Sequence, residues 1–345
     1  MAQINKSSEY FNTILWTGDG TSSRSITGVG FAPDMVWLKG RTTTFDHRLV
    51  DTLRSGTYPK LLYPNQDIAE SEDVNNIGAI GSDGFTVGSG NAVNQSGQTY
   101  VAWNWLAGGT GASNTDGSIT STVSANTTSG FSIVSYTGTG ANATVGHGLG
   151  IAPKFIIVKA RNEVRYWAVQ TSTGAGFEMN LNVTEGQTAT SVYWNSTDPT
   201  SSVFSVGTNA ATNLSGDDYI AYVFAPIKGF SKFGSYTGNG STDGTFVYTG
   251  FKPAFVMVKR TDTTNAWLMH DIKRSTLNPM DNQLFANTSG AEDTTSTNNN
   301  FDFLSQGFKC RNTGAAYNAS GGTYIYMAFA ESPLVGTNNI PAVAR

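Results

Sequence analysis

The chain has 345 residues, of which 39% are hydrophobic and 13% charged, with a formal net charge of −4 at pH 7. This apolar share is too large for a disordered chain, and no excess of lysine and arginine favours nucleic-acid binding. The single cysteine, Cys310, excludes an intramolecular disulfide and a thiolate metal site.

The N-terminal residues Met1 to Lys6 lack a basic segment followed by an apolar one. No apolar run reaches the ~20 residues that a membrane helix needs. We therefore expect no secretory signal peptide and no membrane insertion.

A first signature opens each of three repeated units, and it joins Thr-Gly-x-Gly to a Gly-x-x-Pro segment and an apolar run that ends in lysine. Its glycine pairs are Gly18/Gly20, Gly138/Gly140 and Gly238/Gly240, and its runs end at Lys39, Lys159 and Lys259. Glycine tolerates positive φ, and proline at the first position of a strand removes no ladder hydrogen bond. The signature therefore predicts a turn followed by a buried strand at 34–39, 154–159 and 254–259.

A second signature, Asn-x-Ser-Gly-x-x-Tyr, closes each unit at Tyr100, Tyr219 and Tyr324. Each tyrosine is followed five residues later by an aromatic residue, and the distance from the proline to the tyrosine is 67, 66 and 71 residues. The repeat predicts homologous domains at 1–107 (unit 1), 130–228 (unit 2) and 229–345 with a C-terminal tail (unit 3).

Residues 108–129 are rich in glycine, serine and threonine, a composition typical of a linker. We expect unit 1 to be freer than the other two units, unless Ile119 to Val123 adds a strand to a sheet. Short β-branched and aromatic runs without helical periodicity predict an all-β fold, with three tandem β-sandwich domains of jelly-roll type.

Lysine and arginine recur after the buried strand, as Lys159 with Arg161 and Lys259 with Arg260. These cations could hold an acidic sugar or a lipopolysaccharide phosphate, but residues kept in every repeat usually serve the architecture. Trp167 and Trp267 lie at equivalent places, where unit 1 has His47. They are candidates for glycan stacking, and the alternative is that they belong to the core.

Catalytic, metal and cofactor sites are not predicted. The three histidines are scattered, no calcium loop or nucleotide motif occurs, and no carboxylate recurs in all three units. We therefore expect a protein that is not an enzyme and that needs no cofactor.

The two signatures together, with Gly146-His-Gly148-Leu-Gly150 before Pro153, resemble a repeated domain of virion-associated proteins of marine bacteriophages. The resemblance extends from about Tyr10 to Ala330 and implies a virion location, with synthesis in the host bacterial cytoplasm. It implies a structural protein, either a tail fibre, a spike or a receptor-binding component.

The expected partners are other virion proteins, the chain itself in a homo-oligomer (a trimer favoured), and a host surface glycan or lipopolysaccharide. A trimer would cover edge strands and supplement small cores. Two alternatives stay open: a capsid or tail decoration protein, and a polysaccharide depolymerase with a pair of catalytic carboxylates.

Overall fold

The computed structural model describes residues 4–54, 59–295 and 300–333, and within them the predicted all-β fold is confirmed. The strands form several antiparallel sheets. Helical structure in these ranges is confined to a 3-10 turn (Ser7–Glu9) and one α-helical turn, α1 (Asn91–Asn94). The predicted C-terminal tail, from residue 334, lies outside the described residues.

Unit 1 contains one large sheet and two small ones. Its strands are β1 (Phe11–Thr17), β2 (Arg24–Thr27), β3 (Met35–Gly40), β4 (Arg48–Asp51), β5 (Lys60–Leu61), β6 (Ser71–Glu72), β7 (Ile77–Gly81), β8 (Gly84–Val87) and β9 (Thr99–Trp105). The large sheet has the order β1-β9-β3-β4, a second sheet the order β2-β8-β7, and β5 pairs with β6.

Unit 2 repeats this arrangement with two additional strands at its start. Its strands are β10 (Ala112–Asn114), β11 (Ser121–Asn126), β12 (Phe131–Thr137), β13 (Ala143–Gly146), β14 (Phe155–Ala160), β15 (Ala168–Gln170), β16 (Phe177–Glu178), β17 (Thr188–Ala189), β18 (Val203–Val206) and β19 (Asp218–Phe224). The large sheet has the order β10-β11-β12-β19-β14-β15, and β13-β18 and β16-β17 form the small sheets.

Residues 108–129 are therefore not a structureless linker. Strands β10 and β11 lie in this segment and extend the large sheet of unit 2, where Val123 pairs with Val134. The small polar residues that suggested a linker suit these outer strands equally well, so composition alone could not separate the two.

In its described residues, up to 295 and from 300 to 333, unit 3 has eight strands in two sheets. They are β20 (Ser231–Thr237), β21 (Phe246–Tyr248), β22 (Phe251–Arg260), β23 (Leu268–Asp271), β24 (Leu284–Phe285), β25 (Phe301–Leu304), β26 (Gly307–Cys310) and β27 (Thr323–Pro333). The large sheet has the order β20-β27-β22-β23-β24 and the small sheet the order β21-β26-β25.

The large sheets share one strand order and one register. The predicted strands at 34–39, 154–159 and 254–259 are confirmed as β3, β14 and β22. Each pairs with the closing strand of its unit at an equivalent position, through Trp37↔Trp103, Ile157↔Tyr222 and Met257↔Met327. The repeated sequence therefore produces repeated structure.

The two sequence signatures of a unit contact each other. In unit 2, Gly138 and Gly140 donate backbone hydrogen bonds to the carbonyls of Asp217 and Asn213. The Tyr219 hydroxyl accepts from the backbone N–H of Leu214. A Cβ on Gly138 would lie 2.2 Å from the Leu214 carbonyl oxygen, so only glycine fits at this turn.

The inner faces of the three large sheets share one hydrophobic core. The aromatic residues that follow each closing tyrosine, namely Trp105, Phe224 and Phe329, meet at its centre. Their ring centroids are 6.4 Å apart (Trp105–Phe224), 5.8 Å (Trp105–Phe329) and 6.0 Å (Phe224–Phe329). Unit 1 is not freer than the other units: the stated exception applies, because Ser121 to Val123 lie in strand β11 of the sheet, and Trp105 completes this central aromatic triad.

Candidate functional site

Lys159, a proposed ligand contact, has no exposed surface. Its Nζ donates hydrogen bonds to the carbonyls of Ala160 (2.8 Å), Glu163 (3.1 Å) and, in unit 1, Asp67 (3.1 Å). Burial lowers the pKa of its ammonium to about 8, which leaves it protonated at neutral pH. The ammonium therefore ties the loop after β14 to the neighbouring unit.

Lys259 and Lys39 occupy the same position in the other two units and are also fully buried. Nζ of Lys259 donates to the carbonyl of Thr184 in unit 2 at 3.1 Å, and Nζ of Lys39 donates to the Thr43 carbonyl at 3.1 Å. The prediction that Lys159 or Lys259 contacts an external ligand is therefore wrong for the folded chain. Their hydrogen bonds fit the alternative, in which these lysines serve the architecture.

Trp167 and Trp267 are also buried, at 0% and 1% exposure, and cannot stack on an external sugar. The indole N–H of Trp167 donates to the carbonyls of Tyr63 (3.0 Å) and Gln66 (2.9 Å) in unit 1. The indole N–H of Trp267 donates to the Asn180 carbonyl in unit 2 at 3.0 Å. Each tryptophan thus joins its unit to the preceding one.

His47 takes the place of this tryptophan in unit 1. Its Nε2 lies 3.1 Å and 3.2 Å from the carbonyl oxygens of Phe285 and Thr288 in unit 3. Its Nδ1 accepts a hydrogen bond from the Trp37 indole at 2.9 Å. Burial lowers the pKa of His47 to about 3, so the ring is neutral, with its proton on Nε2. Unit 1 contacts unit 3, and the three units form a closed ring.

Arg161 and Arg260, the remaining candidates, are not equivalent. Arg161 is two residues beyond its buried lysine and makes a bidentate ion pair with Glu70 of unit 1, with both distances 3.0 Å. Arg260 directly follows Lys259 and pairs with Asp262 of its own loop at 2.8 Å and 3.0 Å. Both guanidinium groups already have carboxylate partners.

Glu70 belongs to a buried ion network between units 1 and 2. Arg54 donates to Glu70 at 3.2 Å and to Asp51 at 2.7 Å, and the Tyr222 hydroxyl donates to Asp51 at 2.6 Å. The side chains of Arg54 and Asp51 have 0% exposure. Burial by itself would raise the pKa of the Glu70 carboxyl, but hydrogen bonds from Arg161 and Arg54 lower it.

The same network recurs between units 3 and 1. Glu292 accepts from Arg41 at 2.7 Å and from Arg274 at 2.9 Å. Arg274 also contacts Asp271, which accepts from the indole of Trp103 at 3.0 Å. These two buried networks are equivalent position by position.

The third interface, between units 2 and 3, has neutral residues at these positions. Gln187 stands where the others have glutamate, since its N–H binds the Thr261 carbonyl as that of Glu70 binds the Arg161 carbonyl. Thr173 donates to Gln187 at 3.1 Å and exchanges a hydrogen bond with Thr171, the counterpart of Asp51. Among the described residues, the interface between units 2 and 3 therefore has no counterpart of the ion network formed by Asp51, Arg54 and Glu70.

These networks were not predicted from the sequence, although the sequence contains a pattern that indicates them. Asp51 and Arg54 form an Asp-x-x-Arg pair that recurs as Asp271 and Arg274 and is absent from unit 2. The spacing suits a turn, because each aspartate also accepts backbone N–H bonds from the residues that follow it.

A groove of about 560 Å³ lies beside β4 in unit 1, with Val50, Val74 and Ile80 in its lining. Its ionic lining residues, Asp51 and Arg54, are paired with each other. Its lining also includes Arg54 and Pro59, between which residues 55–58 lie outside the described part of the chain. Within 4–54, 59–295 and 300–333, no three potential metal-ligating side chains cluster together.

The surface of unit 3 carries two exposed aromatic side chains. Phe246 and Tyr248 lie on β21 with 45% and 52% exposure, while Val247 between them is buried. This pair was not among the residues selected from the sequence, since no signature of the repeat includes it.

Residues 6–333 match the family model of a domain of unknown function, DUF7483. The chain belongs to this DUF7483 family. The match spans all three units, from the residues before β1 to the end of β27. A search of curated proteins found no match. No helix in the described ranges is long and apolar enough to span a membrane.

Proposed function

We propose that this DUF7483 protein is a structural component of a bacteriophage particle, located in a tail fibre, spike or receptor-binding assembly. One observation carries the proposal: Lys159, Lys259, Trp167, Trp267 and His47, all at repeated positions, join the three units around one aromatic core. Because these repeated residues stabilise the packing of the units, we assign the function to side chains on the outer surface. The resemblance of the two signatures to phage virion domains supports the same assignment.

The three units are, in this proposal, homologous jelly-roll-like β-sandwich domains. Their large sheets share strand order and register. The outer face of each large sheet packs on a hydrophobic cluster of its own unit, distinct from the shared central core. Two layers around a core are what a sandwich requires.

Catalysis is not part of the proposed role. A glycosidase needs one carboxyl with a raised pKa to act as general acid. Glu70 and Glu292 are each bound by two arginines, and the pKa of Glu70 is lowered. These carboxylates suit an ion network better than acid catalysis.

A homotrimer stays part of the proposal, although its original reason is weaker. The sequence argument is that partner chains cover edge strands and supplement the small cores of the sandwiches. Here the three units cover one another within a single chain. Light scattering of the purified chain measures this directly: a mass of three chains supports the trimer, and a mass of 36.6 kDa contradicts it.

Gradient-purified particles test the proposed location. Mass spectrometry should find the chain in intact particles, and gold-labelled antibodies against it should decorate the tail or its fibres. A chain that is absent from purified particles contradicts the proposal. Label over the capsid would favour the decoration protein, and release of reducing sugars from host polysaccharide would favour the depolymerase.

A further inference from the structure

We propose that the outer face of the small sheet in unit 3 is a binding platform for a neutral saccharide, with Phe246 and Tyr248 as its stacking residues. Residues i and i+2 of a strand project from the same face, and buried Val247 between them fixes that face as the outer one. The inference rests on the proposed function, because it names the receptor class.

The other two units show that the fold does not need aromatic residues here. The buried residue of the edge strand pairs with a phenylalanine in each unit: Val247↔Phe308, Ile26↔Phe85 and Val145↔Phe204. This register aligns Phe246 with Ser25 and Thr144, and Tyr248 with Thr27 and Gly146. Unit 3 thus exposes two large rings where its counterparts have small residues, which indicates a role outside the frame.

The surroundings of the two rings are polar. Gly307 lies opposite Tyr248 in the sheet and Lys309 opposite Phe246, so no bulky side chain rises across from the tyrosine. The Lys232 ammonium lies 5.1 Å from the centroid of the Tyr248 ring, where a cation–π contact helps to fix the ring. Exposed aromatic rings bordered by hydrogen-bonding groups suit the C–H face of a pyranose.

Local charge favours a neutral ligand. Lys309 is paired with Asp243, and Arg311 with Asp302 at 3.2 Å. The third nearby cation, Lys232, already donates a hydrogen bond to the Tyr248 carbonyl. To pair with Lys309 or Arg311, an acidic sugar or a nucleic acid would have to break an existing ion pair, whereas the hydroxyls of a neutral sugar can share hydrogen bonds with both partners.

A protein partner fits this surface less well. Strand β21 is at the edge of its sheet, but Lys232 donates to the Tyr248 carbonyl at 2.7 Å and obstructs pairing with an added strand. Two exposed rings also supply far less than the ~800 Å² per partner of a standard protein interface. The patch matches one or two sugar rings.

An array of neutral and acidic oligosaccharides, which includes hexamers of glucose and mannose, tests the proposal with the full chain. The test variant is Phe246→Ser with Tyr248→Thr, which installs the unit 1 residues. The matched control is Tyr166→Thr, which removes a ring with 49% exposure from unit 2. Melting temperatures of both variants should equal that of the parent, because all three side chains are exposed.

We expect a neutral oligosaccharide to bind the parent and the control equally, and to bind the double variant roughly tenfold or more weakly. Binding unaffected by the double substitution, binding of acidic saccharides or of oligothymidine alone, or no saccharide binding would each overturn the platform. A chain that binds saccharide but is absent from particles would overturn the virion assignment and leave the platform intact.

Discussion

Replacing Arg54 by methionine tests the buried network between units 1 and 2. The substitution leaves Asp51 with 0% side-chain exposure and without its cationic partner, and removes one of two guanidinium groups from Glu70. Removal of one partner from a buried ion pair costs about 3–5 kcal/mol. Arg54→Met should therefore lower the free energy of unfolding by that amount.

The third interface supplies the matched control. Its residues at the five positions of the network can be transplanted by substituting Asp51→Thr, Arg54→Gly, Glu70→Gln, Arg161→Thr and Tyr222→Met. Exchange of a whole buried ion network for a compatible neutral set is often close to neutral in stability. The fivefold variant should thus be more stable than Arg54→Met, despite carrying four more substitutions.

Chemical denaturation followed by tryptophan fluorescence and circular dichroism measures both variants. Denaturation midpoints and slopes yield the free energies if the two probes give coincident transitions. A loss below about 1 kcal/mol for Arg54→Met, the range of exposed pairs, would refute a buried network. A fivefold variant less stable than Arg54→Met would refute the equivalence of the interfaces.

Three further predictions concern the core, the histidines and metal ions. Phe224→Ala should cost about 3–5 kcal/mol and destabilise all three units together, so hydrogen exchange that accelerates in unit 2 alone would contradict a shared core. Burial lowers the pKa values of His47 and His270 to about 3 from the ordinary 6.5. Below pH 6.5 the unfolded chain therefore binds protons at these histidines that the native chain does not bind. The free energy of unfolding should fall as pH decreases from 6.5 towards 3. His270→Val, the residue of unit 1 at this position, should flatten that decline, and an unchanged pH profile would exclude His270 as a cause. EDTA should leave the melting temperature unchanged, and a drop of several degrees would reveal an ion site.

The local features of the fold could be predicted from the sequence, because glycine and proline act within a few residues. The turn at Gly138 and the strand after Pro153 follow from backbone conformations that the residue types themselves favour. The shared core could not be predicted this way. Trp105, Phe224 and Phe329 are far apart in the chain, and periodicity alone does not distinguish packing within a unit from packing between units.

The proposed ligand contacts show a related limit. Recurrence singled out Lys159 and Trp167. The residue type alone, however, does not distinguish a buried donor to a backbone carbonyl from an exposed contact with a ligand. The substitution of His47 for tryptophan in unit 1 is a usable signal, since both side chains can donate one N–H to a neighbouring unit. Phe246 and Tyr248 stand out only once the register aligns them with smaller residues.

Competition for host attachment tests directly whether this chain is a receptor-binding virion protein. Host cells are incubated with the purified chain before addition of phage whose particles contain it, and the adsorption rate is measured. We expect the parent chain to slow adsorption in proportion to its concentration and the Phe246→Ser/Tyr248→Thr variant to do so much less. Adsorption that is unchanged at saturating concentrations of the parent chain would contradict this expectation.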